Sequence, residues 1–170
     1  MLRYNTYNVK RYVLILKIIK IITLLALVLV LTACVSTKKS VFTGTFEEYD
    51  RTVTVTHKNN AVTKEVYETT APLKYWGYDT KKDARESLQD EKQKLKEKYE
   101  KLPRGTVKFD FAVNSDDTIT QKMVILYDDK KLRALIKEGI VDERAEMSDG
   151  KISFNKHKFI FERNGLTLEE

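Results

Sequence analysis

The chain has 170 residues, room for one domain and a targeting segment. Its formal charge of +6 raises nucleic acid as a partner, but Arg3, Lys10, Arg11, Lys17 and Lys20 precede Cys34, where no acid stands, and without them 26 basic residues face 25 acidic ones. The basicity belongs to the leader, which removes the case for nucleic acid; the single cysteine excludes an internal disulfide, and two histidines 100 positions apart supply no zinc spacing.

Residues 1–33 have the three parts of a secretory signal: a basic stretch up to Lys20, an apolar run Ile21–Leu31, then the small residues Thr32 and Ala33. A retained membrane helix fits less well. The apolar stretch from Ile21 to Val35 is 15 residues, against about 20 for a span, and lengthening it backwards takes in Lys17 and Lys20. A buried core helix fits worst, because Leu24–Leu31 is apolar all round. The order Leu31-Thr32-Ala33-Cys34 resembles the bacterial lipobox. That resemblance implies a diacylglyceryl group on the Cys34 sulfur and cleavage before it, with Leu31, Thr32 and Ala33 read by the peptidase. Two acyl chains hold where one holds marginally. Residues 34–40 would then be the lipidated cysteine and a short polar tether reaching roughly 13 Å, with the domain spanning 41–170.

From Val41 the pattern has period two. Phe42, Gly44 and Phe46 alternate with threonines, as do Val53 and Val55. After an Asn59-Asn60 turn, Val62, Lys64, Val66 and Glu68 fall on one face and Thr63, Glu65 and Tyr67 on the other. Pro72 closes this third strand. Thr80–Leu102 is a helix, with Thr80 as N-cap, Asp83 three residues on, and Ala84, Leu88, Leu95, Tyr99 and Leu102 on one stripe. Val107–Val113 and Ile119–Tyr127 are strands around a Ser115-Asp116-Asp117 turn. A short helix runs from about Lys130 to Glu138, stopped by Gly139. The stretch 141–151 is polar loop. The last element is open: Ser153 as N-cap and Gly165 as stop favour a helix, while Phe159-Ile160-Phe161 alone favours a strand.

These segments resemble the YehR-like family of small bacterial lipoproteins, whose domain has no assigned function. The likeness is carried by Val62-Thr63-Lys64, by Leu73 and Tyr78-Asp79-Thr80-Lys81-Lys82-Asp83-Ala84, by Tyr99-Glu100-Lys101-Leu102 with Gly105 and Val107, and by Tyr127, Leu132, Leu135 and Gly139-Ile140. This chain departs from it in having Trp76-Gly77-Tyr78 where relatives carry a Leu-Gly-Ile-like turn. The resemblance implies an α+β two-layer sandwich: an antiparallel sheet of about five strands with a long helix and one or two shorter helices on one face. It also favours a helix for the last element.

Chemistry is sparse. No nucleophile elbow, phosphate loop or dinucleotide fingerprint is present, so no catalytic, cofactor-binding or metal residues are assigned. His57 and His157 are expected to be ordinary surface or partly buried histidines, and Asp116-Asp117 and Asp128-Asp129 to serve turns and helix starts. Tyr75, Trp76 and Tyr78 around Gly77 either line a groove for a saccharide, peptide or lipid headgroup or plug the end of the core; the plug is the more frequent use of such a cluster. The expected protein is a monomeric, non-catalytic lipoprotein on the extracytoplasmic face of a bacterial membrane, held by lipid on Cys34, with a binding or accessory role. The alternative is an envelope-polymer-modifying enzyme using surface carboxylates or histidines.

Overall fold

A computed structural model describes residues 36–141 and 149–169. Cys34 and the leader residues Leu31, Thr32 and Ala33 lie outside them, as does most of the loop expected over 141–151. Ten elements follow in chain order: β1 (Thr37–Thr45), β2 (Asp50–Lys58), β3 (Ala61–Pro72), a 3-10 turn (Leu73–Trp76), α1 (Lys81–Lys98), β4 (Val107–Val113), β5 (Thr118–Leu126), α2 (Asp129–Lys137), α3 (Phe154–Arg163) and β6 (Thr167–Leu168). The strands form one antiparallel sheet in the order β4-β5-β3-β2-β1-β6. The fold is α+β, an open six-stranded sheet with three helices.

The period-two segments become β1–β5 because each has one apolar face to bury. Phe42, Val53, Tyr67, Met123 and Phe109 lie opposite one another in register, as do Ser40, Val55, Glu65, Ile125 and Val107. These two rows form the floor of the main core, which Leu132, Leu135 and Phe161 complete from α2 and α3. A second, smaller core joins Leu73, Ala84, Leu88 and Ile119 under α1. The opposite face of the sheet is rich in threonine and charge, with Thr70 and Thr120 hydrogen-bonded at 2.8 Å and Lys122 paired with Glu68.

The structure departs from the sequence expectation in four places, three of them in the sheet. β1 begins at Thr37, so Thr37, Lys38, Lys39 and Ser40, expected as tether, are strand residues paired with Lys58, His57, Thr56 and Val55. Their polar side chains hid a backbone ladder that needs none of them to be apolar. The alternation in β3 breaks where Thr56 faces Lys64 but His57 faces Val62, leaving Thr63 as an extra, bulged residue. One inserted residue reverses the faces beyond it, so Val62 shares its face with Glu65, Tyr67, Thr69 and Ala71 and not with Lys64 and Val66. β6 is a sixth strand of two residues. Helix α1 stops at Lys98, and Tyr99–Leu102 continue in turns that deliver Leu102 to the main core.

Local signals account for the termini. Thr80 accepts from the Asp83 N–H at 3.2 Å, and its hydroxyl donates to the Asp83 carboxylate at 2.7 Å. Asp128 accepts from the N–H groups of Lys130 and Lys131. The last ambiguous segment is helix α3, begun by Ser153, which accepts from the Lys156 N–H, and stopped by Gly165. Asn59, at φ 55°, makes the left-handed turn of the β2–β3 hairpin.

Candidate functional site

Glu65 sits near the middle of β3, in the centre of the sheet, and none of its surface is exposed. The bulge at Thr63 turns it inward. Three donors reach it: on Oε2 the Tyr67 hydroxyl of β3 at 2.8 Å and the Tyr127 hydroxyl, just past β5, at 2.5 Å, and on Oε1 His157 Nδ1 of α3. A buried carboxylate is tolerable only with such pairing. Burial pushes both tyrosine hydroxyls well above their ordinary range, and the neighbouring Glu65 carboxylate pushes further in the same direction. They remain neutral donors.

His157 is 7% exposed and also packs edge-on to Phe161 at 5.5 Å. His57 is 5% exposed and lies flat on Phe154 at 3.8 Å. Its Nδ1 donates to the Asn59 carbonyl at 2.7 Å, and Nε2 meets the Ser40 hydroxyl at 3.2 Å. Neither histidine is a surface residue; each joins α3 or its N-terminal neighbour to the sheet. Asn60 reinforces this junction by accepting from the Asn155 N–H and donating to the Ser153 hydroxyl.

Tyr127 links the buried cluster to the outside. One side forms the wall of an open cleft of about 570 Å³ between the β2–β3 hairpin and the start of α2. Val62, Leu132 and Ile152 supply its apolar lining, with Lys58, Asp128 and Asp149 among its polar members. This combination, an apolar hollow with a few polar groups, suits a small amphipathic ligand. A broader groove of about 1110 Å³ runs between the C-terminal half of α1 and β4, where Tyr99 stacks on Phe109 at 5.2 Å.

The aromatic turn lies at the other end of the sheet. Trp76 and Tyr78 are half-buried against Leu73, Ala84, Leu88 and Ile119, while Tyr75 is 42% exposed. Gly77 adopts φ 82°, which carries the chain out of the 3-10 turn towards α1. Tyr75 bridges Trp76 at 5.4 Å and Tyr49 at 5.5 Å, and Tyr49 stacks on Phe46 at 4.7 Å. The Trp76 indole N–H is buried with no acceptor among the described residues. Trp76 and Tyr78 thus cover the smaller core, with Tyr75 facing outward.

Asp116, Asp117 and Asp128 serve turns and a helix start: Asp117 is left-handed at φ 60°, and Asp116 accepts from the Thr118 hydroxyl. Among the described residues no group of three or more histidine, cysteine, aspartate or glutamate side chains is placed to hold a metal ion, and no helix is long and apolar enough to cross a membrane. The sequence reading missed the Glu65 cluster. Its one visible trace is a glutamate in a strand whose cross-strand neighbours, Val55 and Ile125, are apolar.

The NMR structure of E. coli YehR superposes on this chain with a TM-score of 0.57, covering 79% of this chain and 92% of its own at 19% identity. The fold is YehR-like. An NMR structure of a protein from Streptococcus pneumoniae TIGR4 is more distant, with a TM-score of 0.48 and 15% identity over 79% of this chain and 86% of that one. No family model and no curated protein matches the chain. At these identities the YehR likeness concerns the fold alone.

Proposed function

We propose that this chain is a bacterial envelope lipoprotein, held on the extracytoplasmic face of a membrane by lipid on Cys34, whose YehR-like domain binds a partner and does not transform it. The observation that carries the anchor is Cys34 itself: the only cysteine, directly after Leu31-Thr32-Ala33 at the end of an apolar run with a basic approach. Binding is favoured over catalysis by the state of the polar groups. The carboxylate–imidazole pair with the chemistry for acid–base work, Glu65 and His157, is sealed beneath α3, and His57 is equally covered. A general base must reach its substrate's proton. What the surface offers is the cleft beside Tyr127 and the exposed ring of Tyr75, which suit an envelope saccharide, a peptide or a protein partner.

The decisive experiment replaces Cys34→Ser in the full chain expressed in bacteria with a labelled fatty acid. Label should be lost, and the precursor should keep its leader. A variant that is cleaved normally and stays on the membrane without label overturns the anchor.

A further inference from the structure

We infer that the β2–β3 hairpin end of the sheet rests on the membrane and docks against its anionic lipid headgroups, so that the domain is held in one orientation and does not swing on a leash. The inference rests on the acylated Cys34 proposed above, and the register of β1 carries it further. Strand pairing begins at Thr37, three residues after Cys34, and Thr37 pairs with Lys58 at the hairpin. Three residues of extended chain span only about 10 Å. The hairpin end is therefore confined to the headgroup region. β2 has nine residues, so its other end, at Asp50, stands roughly 30 Å away along the strand.

Charge is divided along the same axis. The hairpin end carries Lys38, Lys39 and Lys58, all exposed and without an ion-pair partner among the described residues, while the aspartates of the adjoining cleft, Asp128 and Asp149, are each paired with a lysine, Lys131 and Lys151. The opposite end carries exposed Glu47 and Glu48 between β1 and β2, Asp50 at the start of β2, and Asp116 and the Lys81-paired Asp117 between β4 and β5. Lysines placed at an anionic leaflet are attracted to it, and the attraction fades within a Debye length, about 10 Å at 0.1 M salt. The acidic loops lie beyond that range if the hairpin end is down, and within it if the domain is inverted. Both the short entry and the charge division select the same pose. The cleft beside Tyr127 lies at this lower end, and the aromatic ladder from Phe46 to Trp76 at the upper one.

Energy transfer to a headgroup dye tests this. The full-length lipoprotein is purified from bacterial membranes, the mass of its Cys34 peptide is measured, and it is reconstituted into phosphatidylcholine vesicles with or without phosphatidylglycerol and a dansyl headgroup dye. Trp76, the only tryptophan, reports the upper end; Thr63→Trp in a Trp76→Phe background reports the hairpin end. Transfer from position 63 should exceed that from Trp76 several-fold on anionic vesicles. Reversing Lys38, Lys39 and Lys58 to glutamate should bring the position-63 transfer down to its value on neutral vesicles. With Cys34 acylated, equal transfer from the two positions, or no response to the charge reversal, overturns this orientation and leaves the anchor standing. An unmodified Cys34 peptide overturns both.

Discussion

Helix α1 has eighteen residues and α3 has ten, yet α3 is tied far more deeply into the molecule. α1 buries only Ala84 and Leu88 and shows charged side chains on most of its remaining surface. α3 buries Phe161 against Phe42 at 5.1 Å, places His157 on the Glu65 carboxylate and rests Phe154 on His57. A long helix with a strong cap can be a cover, while a short one can close the core. What distinguishes them is the number of specific partners each finds in the sheet, and a helix's length says little about that.

The sharpest way to break this contrast is at the buried pair. Removing His157 leaves the buried Glu65 carboxylate with its two tyrosine donors alone and a gap in the core, so His157→Ala should cost about 3–5 kcal/mol in urea unfolding. A loss below about 1 kcal/mol would mean that α3 is held by its rings alone. On the other helix, Leu88→Ala should cost about 2–3 kcal/mol, the lower part of the range for buried leucine, because the smaller core has room to close. If Leu88→Ala proves the more damaging of the two, the ranking of the helices is reversed.

Tyr127→Phe probes the same cluster more gently. It removes one of three donors to a buried carboxylate and should cost about 1.5–3 kcal/mol. Alkaline titration adds a signature. Both Tyr67 and Tyr127 ionise well above 10.0 in the folded chain, so the folded state keeps protons that the unfolded state releases near that value. Stability is therefore complete below about pH 10 and falls as pH rises beyond it. Absorbance at 295 nm should show two of the tyrosines of the processed chain, which lacks Tyr4, Tyr7 and Tyr12, ionising only with unfolding, and one in Tyr127→Phe. Smooth titration of every tyrosine before unfolding would contradict the buried cluster. The smallest effect is expected under α1: Trp76→Phe removes a buried indole N–H that has no acceptor among the described residues, so stability should stay within about 1 kcal/mol of the parent.

The contrast also explains what was legible. α1 was plain in the sequence because its signals are local: Thr80, Asp83 and a stripe at helical spacing. The α3 segment was ambiguous, since Phe159-Ile160-Phe161 suits a strand, and Phe159 in fact points outward to solvent. Glu65 gave least warning, because two of the three groups that make its burial tolerable lie 62 and 92 residues away. The bulge at Thr63 compounds this by shifting the phase of an apparently regular alternation. The two-residue β6 carries no periodicity at all. The aromatic turn was visible as a cluster, but its joining to Phe46 and Tyr49 depends on two loops meeting at one end of the sheet.

That small sixth strand has a consequence for solubility. β6 caps the outer edge of β1 at Phe42 and Thr43, and the Glu169 N–H adds a bond to the Val41 carbonyl at 2.8 Å. Below it, the uncovered edge is guarded by Lys38 and Lys39, charges that discourage another chain from adding there. Under β6 itself, the sequence Val41-Phe42-Thr43 is β-prone, and residues 165–169 shield it. A chain clipped at Asn164 would keep most of its core and lose this cover on β1, so proteolysis there would convert a well-packed fold into a template for its own aggregation.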